Sequence, residues 1–465
     1  MLSQKKRQLM NHSPRTETNM QKLSVKEKSG YAIGEIASNI IWASIMFFLA
    51  NFYTDVFGLP AAVAGTMFLI VKLFDAFNDP IMGMIADRTN TRWGKFRPYI
   101  LFASVPYAVF GVLMFITPDF SLTGKIIYAY ATYTSMMVIY TVMMIPYAAL
   151  GGVMTSDPIE RTSLQSYRFV GAFAGNLLIQ GLTLKLVAYF GGGNDAKGYQ
   201  MTMAIFAVMC VAFFYVTFAT TKERVQPDPM VKPSIKHDLK DLIGNRPWVI
   251  VALVLFVMLI YIGIRSAVIV YYFTYYVGDK ALTAWYLTGG TVIIIISMLL
   301  PKWLTLTFGK RNSLVGLLII IALAIGANWF ARPQDKVLMF VLQFIQAAAS
   351  GPTMPLLWAM MADAADYSEW LTGRRATALF YSASTLALKS GGALGGALAL
   401  WILAAFHYQP NVAQAPETLH GMRLMMSVYP ALGALICAGL VAFYNLPDKK
   451  LLEIEKELNR RRVNR

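Results

Sequence analysis

Twelve stretches of about 18 to 25 predominantly apolar residues, bounded by charge, glycine or proline, run through this chain and leave room for little else. They begin near Ala37, Ala61, Tyr99, Ile126, Gln165, Met201, Trp248, Ala281, Ser313, Val337, Ala376 and Met422. In lipid such a stretch must satisfy its backbone polar groups internally, and a helix does so. The spacing predicts an all-α integral membrane protein with twelve transmembrane helices. Composition agrees: 57% of the residues are hydrophobic and 14% charged, where soluble domains carry about a quarter charged residues.

The formal net charge of +16 raises the question of an acidic partner, and the placement of the basic residues answers it. Lys5, Lys6, Arg7, Arg15, Lys22, Lys26 and Lys28 precede the first apolar run, and Arg460, Arg461, Arg462 and Arg465 end the chain. Basic connectors at 89–97 and 220–246 alternate with connectors poor in positive charge at 57–62 and 278–283. This is the positive-inside pattern of a multi-pass protein of the cytoplasmic membrane with both termini cytoplasmic, so lipid and not nucleic acid is the expected surrounding. The first 30 residues show no apolar core and cleavage signature of a removable signal peptide. Cys210 and Cys437 fall inside apolar runs and read as core residues, and the four histidines lack metal-ligand spacing.

The polar stretch 220–246 divides the apolar runs six and six, the plan of transporters built from repeated halves. The expected units are an N-terminal tail (1–30), a six-helix bundle (31–221), a cytoplasmic linker (222–246), a second bundle (247–446) and a basic tail (447–465).

The second span contains KLFDAFNDPIMG, 72–83. Asp75, Asn78 and Asp79 stand at i, i+3 and i+4 and share a helical face, with Lys72 one turn earlier. Each charge at mid-bilayer costs about 2.5–3.5 kcal/mol, so the group needs pairing, water or a bound cation. Two carboxylates with amide and hydroxyl oxygens suit Na⁺, with Asp75 and Asp79 as its metal ligands, or a proton. The competing reading is a Lys72–Asp75 salt bridge that only locks helices.

Other intramembrane polar residues are Glu35 and Asn39 in the first span, Tyr140, Thr141 and Pro146 in the fourth, Arg168 in the fifth, Arg265 in the seventh and Lys389 in the eleventh. Each cation needs an acceptor, although Arg168, near a span end, could instead snorkel to the interface. GGALGG at 391–396 reads as helix packing. GPTMP at 351–355 reads as an interruption of the tenth span, a role Pro146 could share. Asp363, Asp366 and Glu369 lie along one side at the end of the tenth span, placed to pair with Arg88, Arg92, Lys95 or Arg168 and close the cytoplasmic side; ordinary helix-end charge is the alternative.

DAFNDP with its WGKFRP connector, YTVMMIPYAALGG, ERTSLQSYRF, MADAADYSEWLTGRR and the lysine of STLALKSGG occur in one order along the chain. Together they resemble the glycoside-pentoside-hexuronide:cation symporters, the melibiose-carrier group of the major facilitator superfamily. The resemblance covers 29–35 through 410–422. It implies two six-helix halves, with a cation site at Asp75, Asn78, Asp79 and Thr141 and a sugar site at Asn39, Tyr140, Arg168, Thr385 and Lys389. Melibiose-type carriers have a Lys-Asp pair where this chain has Ser38 and Asn39, and an aspartate where it has Met144. Glu35 is the candidate to replace a lost carboxylate. Arg265 resembles an arginine of the xyloside-transporter-like branch, which leaves a pentose-containing glycoside and an anionic sugar facing Arg168, Arg265 and Lys389 both open.

The expected function is import of a glycoside, pentoside or hexuronide by alternating access, coupled to Na⁺ or H⁺, with no enzyme activity and no cofactor beyond the coupling ion. One chain holding both halves reads as a monomer. The alternatives are a lipid or drug carrier on the same fold, and an intramembrane prenyltransferase holding Mg²⁺-diphosphate at the two acidic runs. The second is disfavoured because Arg374 and Arg375 adjoin the run at 363–369 and the six-plus-six division would go unexplained.

Overall fold

The structure is a computed structural model and describes residues 22–155, 157–224, 242, 244–372, 377–446, 450, 451, 453, 454, 457, 458 and 460. Its helices are α1 (Val25–Ser44), α2 (Ala61–Arg88), α3 (Arg97–Leu113), α4 (Leu122–Val153), α5 (Pro158–Gly191), α6 (Asp195–Thr220), α7 (Arg246–Tyr271), α8 (Leu282–Ser297), α9 (Pro301–Phe308), α10 (Lys310–Ala327), α11 (Lys336–Ser350), α12 (Thr353–Thr372), α13 (Thr377–Ala405), α14 (Pro416–Met426) and α15 (Val428–Ala442). Among the described residues nine helical segments are long and apolar enough to cross a bilayer, and the pair α8 and α9, bent by 55°, makes a tenth. The helix α3 is apolar but shorter.

Helix boundaries follow local chemistry. Ser24 and Glu27 form a reciprocal capping box at the start of α1, the side chain of each accepting from the backbone N–H of the other. The helix runs on through π-helical turns at Ile45–Leu49 and Phe52–Val56, and α7 ends in the same way at Tyr272–Tyr276. Glu223 accepts from the first backbone N–H groups of α3 and the residues before it, Lys95 at 2.8 Å, Phe96 at 2.7 Å and Arg97 at 3.0 Å. A carboxylate there satisfies donors the helix cannot and complements its dipole.

Helices α1, α5 and α6 pack together, and α3 packs on α4 and on α6; in the second part of the chain α7 packs on α13 and α15, and α10 on α11 and α15. The two sets meet where α2 lies along α13 and α5 along α8. The α7–α13 contact depends on the glycines of GGALGG. A Cβ on Gly391 would stand 2.3 Å from the Phe256 carbonyl, and one on Gly395 2.5 Å from that of Ile260. The packing reading of this motif therefore describes the structure. The tenth apolar run does break at Gly351 and Pro352, between α11 and α12. Pro146, by contrast, sits inside an uninterrupted α4. Both cysteines are free and buried, Cys210 donating to the Ala37 carbonyl and Cys437 to that of Val254.

The bundle has a tail end, where α1 begins, and a far end, where the chain first turns near Asp55. Between described residues, the hydrogen bonds joining α1–α6 to the later helices lie at the level of Lys389 or toward the far end. Asp55 accepts from Tyr275 at 2.6 Å and from Tyr408, and its carbonyl accepts from Asn411 at 2.6 Å. Thr54 meets Tyr271 at 2.8 Å, Gln180 accepts from Thr291 at 2.7 Å, and Lys280 pairs with Asp195 at 2.8 Å.

Candidate functional site

Helix α2 carries Asp75 and Asp79 on the face turned toward α4 and α13. Thr141 of α4 donates to Asp75 at 2.6 Å and reaches Asp79 at 3.2 Å. Lys389 of α13 approaches from the other side, 3.2 Å from Asp75 and bonded to Asp79. Asp75 is 4% exposed. Asn78 stands on the same face, and its Nδ2 is buried with no hydrogen-bond partner. Two carboxylates, a hydroxyl and an amide thus converge, and a lysine from the other set of helices supplies the compensating charge.

The Lys72–Asp75 lock is not what the structure forms. Lys72 makes no ion pair within 4 Å of any described carboxylate, and Asp75 binds Lys389 instead. The reason is direction: α2 and α13 lie against one another, so a side chain from α13 reaches the carboxylates more directly than one from their own helix.

A second polar group surrounds Glu35, which is 9% exposed. Arg168 of α5 donates through Nε to Glu35 at 2.6 Å. Asn39 donates to the Glu35 carbonyl at 2.9 Å and lies 3.4 Å from its carboxylate, and Asn176 donates to Asn39 at 3.3 Å. Arg168 therefore does not snorkel, and Glu35 is its counter-charge. The Arg168 guanidinium also lies over the Tyr147 ring, which stacks on Tyr31. Tyr140, one residue before Thr141, stacks on Trp42 at 4.7 Å between ring centres. Met144, where the resemblance implies an aspartate, is buried. Thr385 is exposed one turn before Lys389 on the same side of α13.

Arg265 is placed apart from these groups. Its guanidinium donates to Gln346 at 3.1 Å, to the Tyr286 hydroxyl at 2.7 Å and to Gln343 at 2.8 Å. The acidic residues at the end of α12 are divided from their expected partners: Asp363 pairs with Lys310 at 2.6 Å, and among the described residues no ion pair joins Arg88 or Arg92 to Asp363, Asp366 or Glu369. Arg92 lies over Trp93 instead. Arg374 and Arg375 are outside the described residues.

Sequence reading did not single out Trp42, Asn176, Tyr286, Gln343 and Gln346, nor the far-end group of Asp55, Tyr275, Tyr408 and Asn411. Two amides at i, i+3 in an otherwise apolar run were the available signal for Gln343 and Gln346. For Asp55 it was a lone carboxylate at a span end, with no hint of its partners 220 and 353 positions away.

Apolar helices whose buried carboxylates and cations meet between two sets of helices define a membrane transporter of the major facilitator fold. The solved structure of a bacterial homologue of the human lysosomal transporter Spinster has that fold, superposing with a TM-score of 0.67 over 92% of this chain and 97% of its own at 16% identity. Residues 30–448 match the family described as MFS/sugar transport protein, and the chain belongs to that family. It is 39% identical to the inner membrane symporter YicJ of Escherichia coli (94% of this chain, 95% of that protein). It is 35% identical to the isoprimeverose transporter of Lactiplantibacillus pentosus (93% and 91%) and 33% identical to the glucuronide carrier protein homolog of Escherichia coli (95% and 97%). Its relatives are transporters, and the glycoside-pentoside-hexuronide:cation symporter resemblance holds.

Proposed function

We propose that the chain imports a glycoside, pentoside or hexuronide together with Na⁺ or H⁺ across the cytoplasmic membrane by alternating access. The observation that carries this reading is the convergence of Thr141 and Lys389 on Asp75 and Asp79. A cation taken by the two carboxylates competes with the Lys389 ammonium for the same oxygens. Release of Lys389 frees a donor for sugar hydroxyls, so each ligand improves the site of the other. A coupling of about 1–3 kcal/mol suffices. The names of the relatives, with sugar conjugates in two of them, support the substrate class.

In this reading the tail end, with its basic connectors, is cytoplasmic, the helices make twelve crossings, and 222–246 links two six-helix bundles. Asp55, Tyr275 and Tyr408 hold the periplasmic side shut. Asp363, Asp366 and Glu369 close the cytoplasmic side with Arg88 or Arg92 when the carrier rocks to its other state. Sugar binds among Asn39, Tyr140, Arg168, Thr385 and Lys389.

The test is simultaneous recording of external pH and Na⁺ on de-energised cells making this chain, while α- and β-glycosides, xylosides and uronides are added. Sugar-dependent uptake of one cation is the expected result, and Asp79→Cys should abolish it. The absence of cation movement with every sugar, in cells shown to hold the protein in the membrane, or concentrative uptake that persists in Asp79→Cys, overturns the reading.

A further inference from the structure

Arg92, Lys95 and Arg97 stand close together, in the connector between α2 and α3 and at the first position of α3. Other cations at the tail end find carboxylates: Lys28 pairs with Glu160 at 2.9 Å, Lys310 with Asp363 at 2.6 Å, and Arg224 with Glu27. Among the described residues none of these three makes an ion pair within 4 Å. Glu223, the carboxylate that does reach them, accepts from the backbone N–H groups of Lys95, Phe96 and Arg97. The Arg97 guanidinium donates to the carbonyls of Trp93 at 3.3 Å and Phe218 at 2.6 Å, and its Nε is buried without a partner. Arg92 lies over the Trp93 ring at 4.1 Å, and Trp93 meets the exposed Phe102 edge-on. Cation, indole and phenyl ring thus follow one another from the connector onto the outer face of α3, the polar-to-apolar order of a membrane interface.

Two apolar grooves flank α3 beneath this connector. One, between α3 and α4, has a volume of about 330 Å³ and runs from Thr89 and Pro98 to Ala103, Pro106, Ile139 and Val142. The other, between α3 and α6, has a volume of about 630 Å³; Val105, Val109 and Val211 wall it, and Ala108 and Ala207, both buried, leave its floor open. Tyr215 lines its tail-end part, one turn before Phe218, whose ring lies under the Arg97 guanidinium at 4.4 Å. From Arg97 to Leu113, the last α3 residue of this groove, the helix rises about 24 Å, against about 15 Å for the hydrocarbon of one leaflet. A chain hanging from the level of Arg97 therefore lies along the groove through its own leaflet.

The positive-inside rule accounts for basic residues in this connector, but not for their lacking carboxylates where neighbouring cations have them. Grooves on both sides of one short helix, under one group of unpaired cations, match a molecule with two acyl chains and one anionic head. Lipid tails are as apolar as the groove walls and discriminate little, so the cations supply the selectivity.

We infer that α3 is the seat of an anionic phospholipid, its phosphate held by Arg97 with Arg92 and Lys95 and its two chains lying in the α3–α4 and α3–α6 grooves. A zwitterionic lipid brings an ammonium group of its own, which these cations repel, and is the poorer occupant.

The experiment titrates the full chain, purified in detergent and stripped of lipid, with dipalmitoyl phosphatidylglycerol and with dipalmitoyl phosphatidylcholine, and counts bound lipid by native mass spectrometry. Wild type should hold one phosphatidylglycerol about tenfold more tightly than phosphatidylcholine, or better. Arg92→Gln with Lys95→Gln, which leaves the bonds of Arg97 in place, should cut that preference by about threefold or more, and adding Arg97→Gln should abolish it. Ala212→Trp, which fills the α3–α6 groove and keeps every cation, should weaken phosphatidylglycerol retention severalfold. The wild-type comparison stands even where a variant does not fold. Equal retention of the two lipids by wild type, or a preference that survives loss of the cations, overturns the inference. Retention unchanged in Ala212→Trp overturns the placement of the chains, and displacement of the lipid by glycerol phosphate points to a soluble anion instead and overturns the lipid. A dimer that forms as lipid leaves assigns the grooves to a second copy, with the same consequence. Lipid retention is read without sugar or coupling ion, so its failure leaves the symport reading untouched.

Discussion

The ammonium of Lys389 stands 3.2 Å from the Asp75 carboxylate, although the two residues are 314 positions apart in the chain. Lys389 also bonds Asp79, so one side chain from α13 balances two carboxylates of α2. Replacing it with glutamine leaves those carboxylates facing each other without a counter-charge. Lys389→Gln is expected to lose sugar accumulation, and adding Asp75→Asn is expected to restore part of the protein's thermal stability without restoring coupling. Uptake assays and thermal unfolding of the two variants check this.

Thr141 contributes a hydroxyl to both carboxylates. A hydrogen bond to a charged group is worth about 1.5–3 kcal/mol. Thr141→Ala should therefore raise the cation concentration for half-maximal sugar uptake by about tenfold or more, whereas Thr141→Ser should stay close to wild type. Dose–response curves for Na⁺ and for pH measure it.

The Glu35–Arg168 contact predicts non-additivity. Removing either partner strands the other in a largely buried place, so Glu35→Gln and Arg168→Gln should each destabilise the protein by about 1.5–3 kcal/mol. The double variant should lose clearly less than the sum of the two. Thermal unfolding in detergent gives all three values.

Helix contact at GGALGG separates two glycines five positions apart. Gly391→Ala drives a methyl group into the Phe256 carbonyl, while Gly396 has no atom within 4 Å of its Cβ position. The first should cost about 1–3 kcal/mol and the second close to nothing. Melting temperatures of the two variants, measured side by side, decide it.

At the far end, Asp55→Ala removes the acceptor shared by Tyr275 and Tyr408. The carrier should then open there more often. Thr66, bonded to Trp401 across the same seam, is the reporter. In a Thr66→Cys background, Asp55→Ala should speed labelling by a membrane-impermeant maleimide applied from the side on which the far end opens.

The parts legible from sequence were those set by local spacing. The i, i+3, i+4 repeat put Asp75, Asn78 and Asp79 on one face, and the close-spaced glycines at 391–396 marked a tight helix contact. Partnership across the bundle was not legible, because it depends on which helices cross and at what height. Arg168 read equally as a residue that could snorkel and as one that needed an acceptor until its helix lay beside Glu35, and Asp363 read as a partner for loop arginines until α10 brought Lys310 to it. Lys72 was nearer to Asp75 in sequence than Lys389 and lost to it in space. Gln343 and Gln346 gained meaning only from the buried guanidinium they hold.

The far-end closure around Asp55 relies on hydroxyl donors, with Thr54 also 2.7 Å from the carboxylate, whereas Lys280–Asp195 nearby is a pair of half-exposed ions. Dissolved salt screens attraction between exposed charges over about 8–10 Å at ordinary ionic strength but has little hold on a short phenol-to-carboxylate hydrogen bond. A carrier fastened in this way should keep the same balance between its two orientations in dilute and in saline surroundings, and leave its coupling ion as the main dissolved ion able to shift that balance.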